Sequence, residues 1–332
     1  MAIYMYRIVL SGISQFNLLL YLLLAVLSFG FVIFEIESQY LFTIAVIVFI
    51  YSSFKLGGIL DLRNTRVYLI LTLFLVLSGA IQWIFFHNNF FIYMEPAHAA
   101  RVLGGLSIFF SIALGDNRYT VISSLILILT GLITPSVSFL IYGLLLLGVY
   151  VVNLKGSFFI FIFIGLSVYF LLGTYFIDRI HPVQCVVSKC EKSDSGNLTS
   201  MVFLQGVDQA VITLRNNSPY GLGNAGEANM SVYGEYIREV VGHNLNLEDA
   251  GSVAAKLVIE TAWAGVFVLF VYLTYFIKYA FLFVNRGEGR LIFSVYLILF
   301  PELFLRGGGY FSMGIFLFFC VLGYVYYNKF NH

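Results

Sequence analysis

Apolar runs of bilayer-spanning length recur along this chain, and that pattern excludes most folds. A hydrocarbon core about 30 Å thick is crossed by roughly 20 apolar residues in a helix. Inside it every backbone polar group must be satisfied within the protein, which leaves helices or closed barrels. The runs are too long for barrel strands, so the chain reads as an all-α polytopic membrane protein. Composition agrees: 60% of residues are hydrophobic and 11% charged, against roughly 25% charged in a soluble domain. A net charge of +1 leaves no basic footprint for nucleic acid. The opening MAIYMYRIVLSGISQ lacks a small-residue cleavage site after a short apolar core, so the first span is expected to act as the insertion signal.

The runs predict about ten spans, at 16–34, 40–54, 67–86, 96–115, 119–134, 137–153, 157–177, 253–277, 291–305 and 310–327. They fall into residues 1–177 (spans one to seven), a polar excursion at 178–252, and residues 253–332 (spans eight to ten). Cations set the orientation. With the N-terminus in the cytoplasm, the cytoplasmic segments hold Arg7, then Lys55, Arg63 and Arg66, then Arg118, Lys155, then Lys278, Arg286 and Arg290, and Lys329. The short opposite loops hold only Arg101 and Arg306. Both termini are therefore expected inside, with the 178–252 loop outside.

Those two exceptional arginines sit beside acids. Glu95, His98 and Arg101 are spaced by three, which puts them on one helical face, with Pro96 suited to be the first helical residue. Glu302 and Arg306 are four apart after Pro301, and Asp249, Lys256 and Glu260 form a third stripe. Isolated charges at helix ends snorkel into headgroups. Three stripes at one level point instead to a wet, functional mouth.

The long loop, Asp178 to Ser252, holds Cys185 and Cys190 in CVVSKC. On an oxidising side these are expected to form a disulfide; two free thiols are the alternative. His181 is the only histidine nearby, and a four-ligand metal set is missing. Met201, Leu204, Val207, Val211 and Leu214 recur at three and four, predicting an amphipathic helix. Arg215 follows, then NNSPYGLGNAG, where Gly221, Gly223 and Gly226 make a tight turn. A guanidinium beside a glycine-rich backbone reads as a phosphate clamp, or as a plain helix end followed by a loop. Glu227, Arg238 and His243 lie further on.

These residues resemble a family, the bacterial O-antigen polymerases of the Wzy type. MEPAHAA at 94–100 is similar to the Glu-Pro-Ser-His signature of those enzymes, with Ala97 in place of the serine. Arg215 and Gly226 have ten residues between them, like the Arg-x10-Gly loop pattern of the family. LRGGGYF at 305–311 resembles the arginine–glycine segment before the last span. LVIETAWAGVFVLF at 257–270 is similar to the post-loop helix, except that Ala262 or Trp263 stands where the first glycine is usual.

The resemblance implies a GT-C-like glycosyltransferase of the bacterial inner membrane, with its large loop, containing helices, in the periplasm. It implies polymerisation of undecaprenyl-pyrophosphate-linked oligosaccharide repeat units into O-antigen or a related surface polysaccharide. A chain-length regulator and a flippase are then membrane partners. The chemistry asks for cations on the leaving pyrophosphate, for which Arg215, Arg306 and Arg101 are the candidates. It asks for a base on the acceptor hydroxyl, for which Glu95, His243 and His98 are the candidates. Arg238, Glu302, Gly221, Gly223 and Gly226 are expected around them. No metal or other cofactor is required, because the arginines replace the cation. The rivals are an O-antigen ligase, a lipid-linked oligosaccharide flippase or transporter, and a structural subunit. A transporter predicts internal repeats and charges at mid-membrane, and the chain shows neither; three outer stripes argue against a structural subunit.

Overall fold

The computed structural model describes residues 38–60, 62–86, 90, 96–134, 136–155, 198–216, 221–222, 225, 231–243, 247–248, 250–282, 288–304 and 309–330. Predicted spans 16–34 and 157–177, and the loop as far as residue 197, lie outside them. Residues 1–52 and 53–332 are two compact units, and the helical bundle with its clustered charges belongs to the second.

Among the described residues the chain is helical, without a strand. In order come α1 (Ser38–Gly57), α2 (Thr65–Phe86), α3 (Pro96–Leu114), α4 (Asn117–Ile133) and α5 (Val137–Lys155). After the undescribed stretch come α6 (Leu198–Arg215) and α7 (Val232–Val241). The last four are α8 (Val253–Thr261), α9 (Trp263–Leu282), α10 (Glu288–Phe304) and α11 (Met313–Phe330). Thr65–Phe86, Pro96–Leu114 and Trp263–Ala280 are long and apolar enough to cross a membrane.

α10 is the axis of the bundle. Its residues from Ile292 to Leu299 are all buried, as expected of a helix that is apolar all round. Phe109, Phe139, Tyr142, Leu146 and Val321 close around it from α3, α5 and α11. α9 joins it through rings: Tyr272 lies 5.3 Å from Tyr296 and Phe276 lies 5.9 Å from Phe293. The Tyr272 hydroxyl donates to the Tyr296 carbonyl at 2.6 Å. α4 and α5 form a tight antiparallel hairpin in which the Ser124 hydroxyl donates to the Gly143 carbonyl at 2.8 Å. Such small and hydroxylated residues are what helices use to approach closely in lipid. The outward faces of α2 and α9 stay bare, with Phe74, Phe85, Phe267 and Phe270 exposed.

The bundle has two chemically distinct ends. One is basic. Arg66 lies over the Tyr119 ring at 5.2 Å and Lys55 over Tyr327 at 5.4 Å, while Arg290 abuts Gly115. The other end joins the start of α3, the end of α8, the end of α10 and the start of α11.

The span predicted at 253–277 is two helices. α8 stops at Thr261, Ala262 takes φ +47° and ψ −123°, and α9 starts at Trp263. The membrane-crossing stretch is thus Trp263–Ala280, and α8 lies before it. The predicted loop helix is present at Leu198–Arg215, but its buried face is rotated from the apolar stripe. Val211 is 38% exposed, while Gln205 and Gln209 are buried. The cause is close packing: Gly206 lies against the Ala250 carbonyl and Gly251 against that of Val202, which draws the glycine side of α6 inward.

Candidate functional site

Two carboxylates organise the second end of the bundle. Glu302, in the last turn of α10, is completely enclosed. A buried carboxylate survives only with donors around it, and α11 supplies them. The Ser312 hydroxyl donates to Oε2, and the Gly314 amide lies 3.1 Å from both oxygens. Ser312 also caps α11, its Oγ accepting from the Ile315 amide at 3.3 Å. The Glu302 carboxyl group therefore sits at the N-terminus of an 18-residue helix, where orphan amides and the helix dipole favour its ionised form. Gly314 is required by this approach, since a Cβ there would run into the carboxylate.

The charge of Arg101, on α3, acts on Glu302. Arg101 lies in a π-helical turn, Ala100–Gly104, within that helix; such turns insert an extra residue and recur at functional sites. Arg101 Nη2 lies 2.6 Å from His98 Nδ1. A guanidinium only donates, so this nitrogen accepts and the other ring nitrogen carries the hydrogen. The fields of both Arg101 and Glu302 also reach the hydroxyl of Tyr142. That hydroxyl is buried in α5 with no hydrogen-bond partner among the described residues.

Glu260, one residue before the end of α8, gathers three segments. The Tyr310 hydroxyl donates to Oε2 at 2.5 Å from the turn before α11. The Ala225 amide donates to the same carboxylate from the loop after α6. Lys256, one turn earlier on α8, is buried, with Nζ 5.5 Å from the centre of the Tyr310 ring. Burial is the largest influence on Glu260 and raises its carboxyl above the ordinary 4.5. The Tyr310 bond, the Lys256 charge and the Ala225 amide each oppose it. The Tyr310 phenol is raised as well, first by burial and then by the Glu260 charge.

The glycine-rich loop docks on the same spot. Gly221 has φ +67°, and a Cβ there would strike the backbone of Glu260 and Thr261. The next amide, Leu222, donates to the Ile259 carbonyl at 2.9 Å, satisfying an acceptor the helix end leaves open. Tyr310 and Ser312 lie two residues apart, so the segment entering α11 is held by Glu260 on one side and Glu302 on the other.

Of the residues predicted from sequence, His98, Arg101 and Glu302 come together at the mouth, and Gly221 meets the stripe of Lys256 and Glu260. Arg215 ends α6, exposed. Arg238 is exposed on α7, and His243 follows the left-handed stop at Gly242. No hydrogen bond among the described residues ties either to the two carboxylates. Glu95, Arg306, Gly223, Gly226, Cys185, Cys190 and Asp249 lie outside the described residues. Sequence reasoning missed Tyr142, Tyr310, Ser312 and Gly314. Their signal was the demand of two carboxylates in apolar surroundings for donors, without an indication of which donors. Among the described residues no group of three His, Cys, Asp or Glu side chains is placed to hold a metal ion.

The class this fold defines is a helical membrane protein, here with a carboxylate-centred cluster at one end of its bundle. Comparison with protein-family models, with curated proteins and with solved structures finds no match.

Proposed function

We propose that this protein is a GT-C-like membrane glycosyltransferase that polymerises undecaprenyl-pyrophosphate-linked oligosaccharide units at the periplasmic face. In the reaction an acceptor sugar hydroxyl attacks the anomeric carbon of the donor chain. The bond from that carbon to the pyrophosphate oxygen breaks, the lipid pyrophosphate leaves with the electron pair, and the hydroxyl proton passes to a base. The leaving group is activated already, so the protein's tasks are to neutralise developing charge and to take a proton.

One observation carries the reading. Glu260, with Lys256 beside it, meets the loop after α6 and the turn before α11, and Glu302, within the field of Arg101, holds the start of α11 two residues on. In this reading that end of the bundle is the periplasmic face, where the resemblance implies the transfer. A second feature supports it: Ala262, one of the two positions (with Trp263) at which the family's first glycine is expected, takes a positive φ of 47°. The basic end of the bundle fits a cytoplasmic side, which makes the carboxylate end periplasmic. In this reading Arg215 and Arg306 bring guanidinium groups to the pyrophosphate, with Arg101 as a third cation.

Deletion of the gene, with analysis of surface polysaccharide, tests the proposal. Loss of long chains with a single repeat unit retained is the expected result. Repeat units that never reach the core would indicate the ligase, and absence of any product on the outer side the flippase.

A further inference from the structure

We propose that Glu260 is the general base that takes the proton from the acceptor sugar hydroxyl. This assignment rests on the glycosyltransferase reading above, and it differs from the bases expected from sequence. Access narrows the candidates. Glu302 is completely enclosed, and both of its oxygens are engaged by Ser312 and Gly314. It holds the segment that enters α11, and no substrate hydroxyl reaches it in this arrangement. In His98 the Nδ1 lone pair is taken by Arg101, which leaves the imidazole without an acceptor. His243 stands exposed beyond α7, and no hydrogen bond among the described residues orients it as a base. Glu260 is partly exposed, at the meeting point of the three segments.

Its surroundings suit the task. A carboxylate offers about four acceptor positions, and among the described residues two donors are on it, the Tyr310 hydroxyl and the Ala225 amide. These bonds fix the carboxylate while leaving capacity for a sugar hydroxyl. The charged and titratable groups acting on it are Tyr310, from the turn before α11, and Lys256, on its own helix. From α6, α9 and α10, which also pack on α8, no described titratable group acts on it. Burial raises its affinity for a proton, which moves a carboxylate toward the range of an effective base. When the acceptor oxygen attacks the anomeric carbon, its proton goes to Glu260, and the electron pair of the broken bond leaves with the lipid pyrophosphate. Lys256 then stands beside a neutral acid, and the proton is released to the periplasmic solvent before the next turnover.

The test uses the purified full chain in lipid nanodiscs, with lipid-linked repeat units as both donor and acceptor, followed by single-turnover transfer against pH. Glu260→Gln is expected to lower the transfer rate by about 10²-fold or more while donor binding is retained. Glu260→Asp should recover part of the rate. Tyr310→Phe keeps the ring over Lys256 but removes a hydrogen bond that favours the ionised carboxylate. The acidic limb of its rate profile is therefore expected at higher pH than in wild type. A Glu260→Gln protein that transfers at a rate near wild type overturns the assignment. So does a Tyr310→Phe profile whose acidic limb stays in place, which would make Glu260 only a strut between segments. A wild-type protein that binds the lipid-linked unit but makes no polymer overturns the functional reading itself, and the assignment with it.

Discussion

Replacing Gly314 by alanine puts one methyl group where the Glu302 carboxylate lies. The Cβ would overlap Oε2 and the carboxyl carbon and press on Oε1. Glu302 is fully buried, with no solvent to retreat into, so the carboxylate must leave its place or α11 must shift. Either movement breaks the bonds from the Ser312 hydroxyl and the Gly314 amide. A hydrogen bond to a charged group is worth about 1.5–3 kcal/mol, and stripping the partner from a buried charge costs about 3–5 kcal/mol. The expected loss is therefore about 3–5 kcal/mol, large for one methyl group. The assay is reversible unfolding in mixed micelles of the wild type, Gly314→Ala, Glu302→Ala and the double variant. If the clash with Glu302 is the cause, Gly314→Ala costs at least about 1.5 kcal/mol less once Glu302 is gone. Equal costs in both backgrounds would refute the clash, because the glycine would then be needed for something other than the carboxylate.

Further outcomes are expected elsewhere. Ala262→Gly should stabilise the protein by about 1 kcal/mol, since it relieves about 1–3 kcal/mol of backbone strain against an entropic cost of about 0.4–1 kcal/mol; thermal unfolding reads this, and Ala262→Val should move the other way. The carboxyl of Glu260 is raised by burial, so its contribution is fully present below the unfolded value near 4.5 and is lost as pH rises through the folded value. Wild type should accordingly lose stability relative to Glu260→Gln as pH rises from about 4 toward neutrality, and parallel pH profiles for the two would contradict this. Arg215→Ala or Arg306→Ala should abolish long chains while the protein still inserts. Lysine at either position should restore activity only in part, because it lacks the planar fork; polysaccharide gels read the result.

The helices were legible where an apolar run is its own signal. Pro96 starts α3 as its fixed φ suggests, and the loop helix predicted from Leu198 to Leu214 is α6 to within a residue. Two features were hidden for physical reasons. Alanine favours helices, so nothing at Ala262 announces that a run of the right length is two helices at an angle. The inward face of α6 is chosen by glycines that let backbones touch at Gly206 and Gly251, and a hydrophobic pattern does not register absent side chains. The charges of the site were visible as stripes, because three- and four-residue spacing survives any packing. Their partners were not. Tyr310 reaches Glu260 across 50 residues of chain and Ser312 reaches Glu302 across 10, and only the tertiary fold chooses such pairs.

The turn at Ala262 also separates two mechanical tasks. One straight helix from Val253 to Leu282 would behave as a lever, carrying each change of tilt in its lipid-embedded half to Glu260. Tilt is how a spanning helix adapts to bilayers of different thickness. With the chain redirected at Ala262, α9 can follow the lipid while α8 stays fastened to the Gly221 loop and to Tyr310. Lengthening the acyl chains of a host membrane should then change how α9 leans and leave the spacing between Glu260 and Tyr310 as it was.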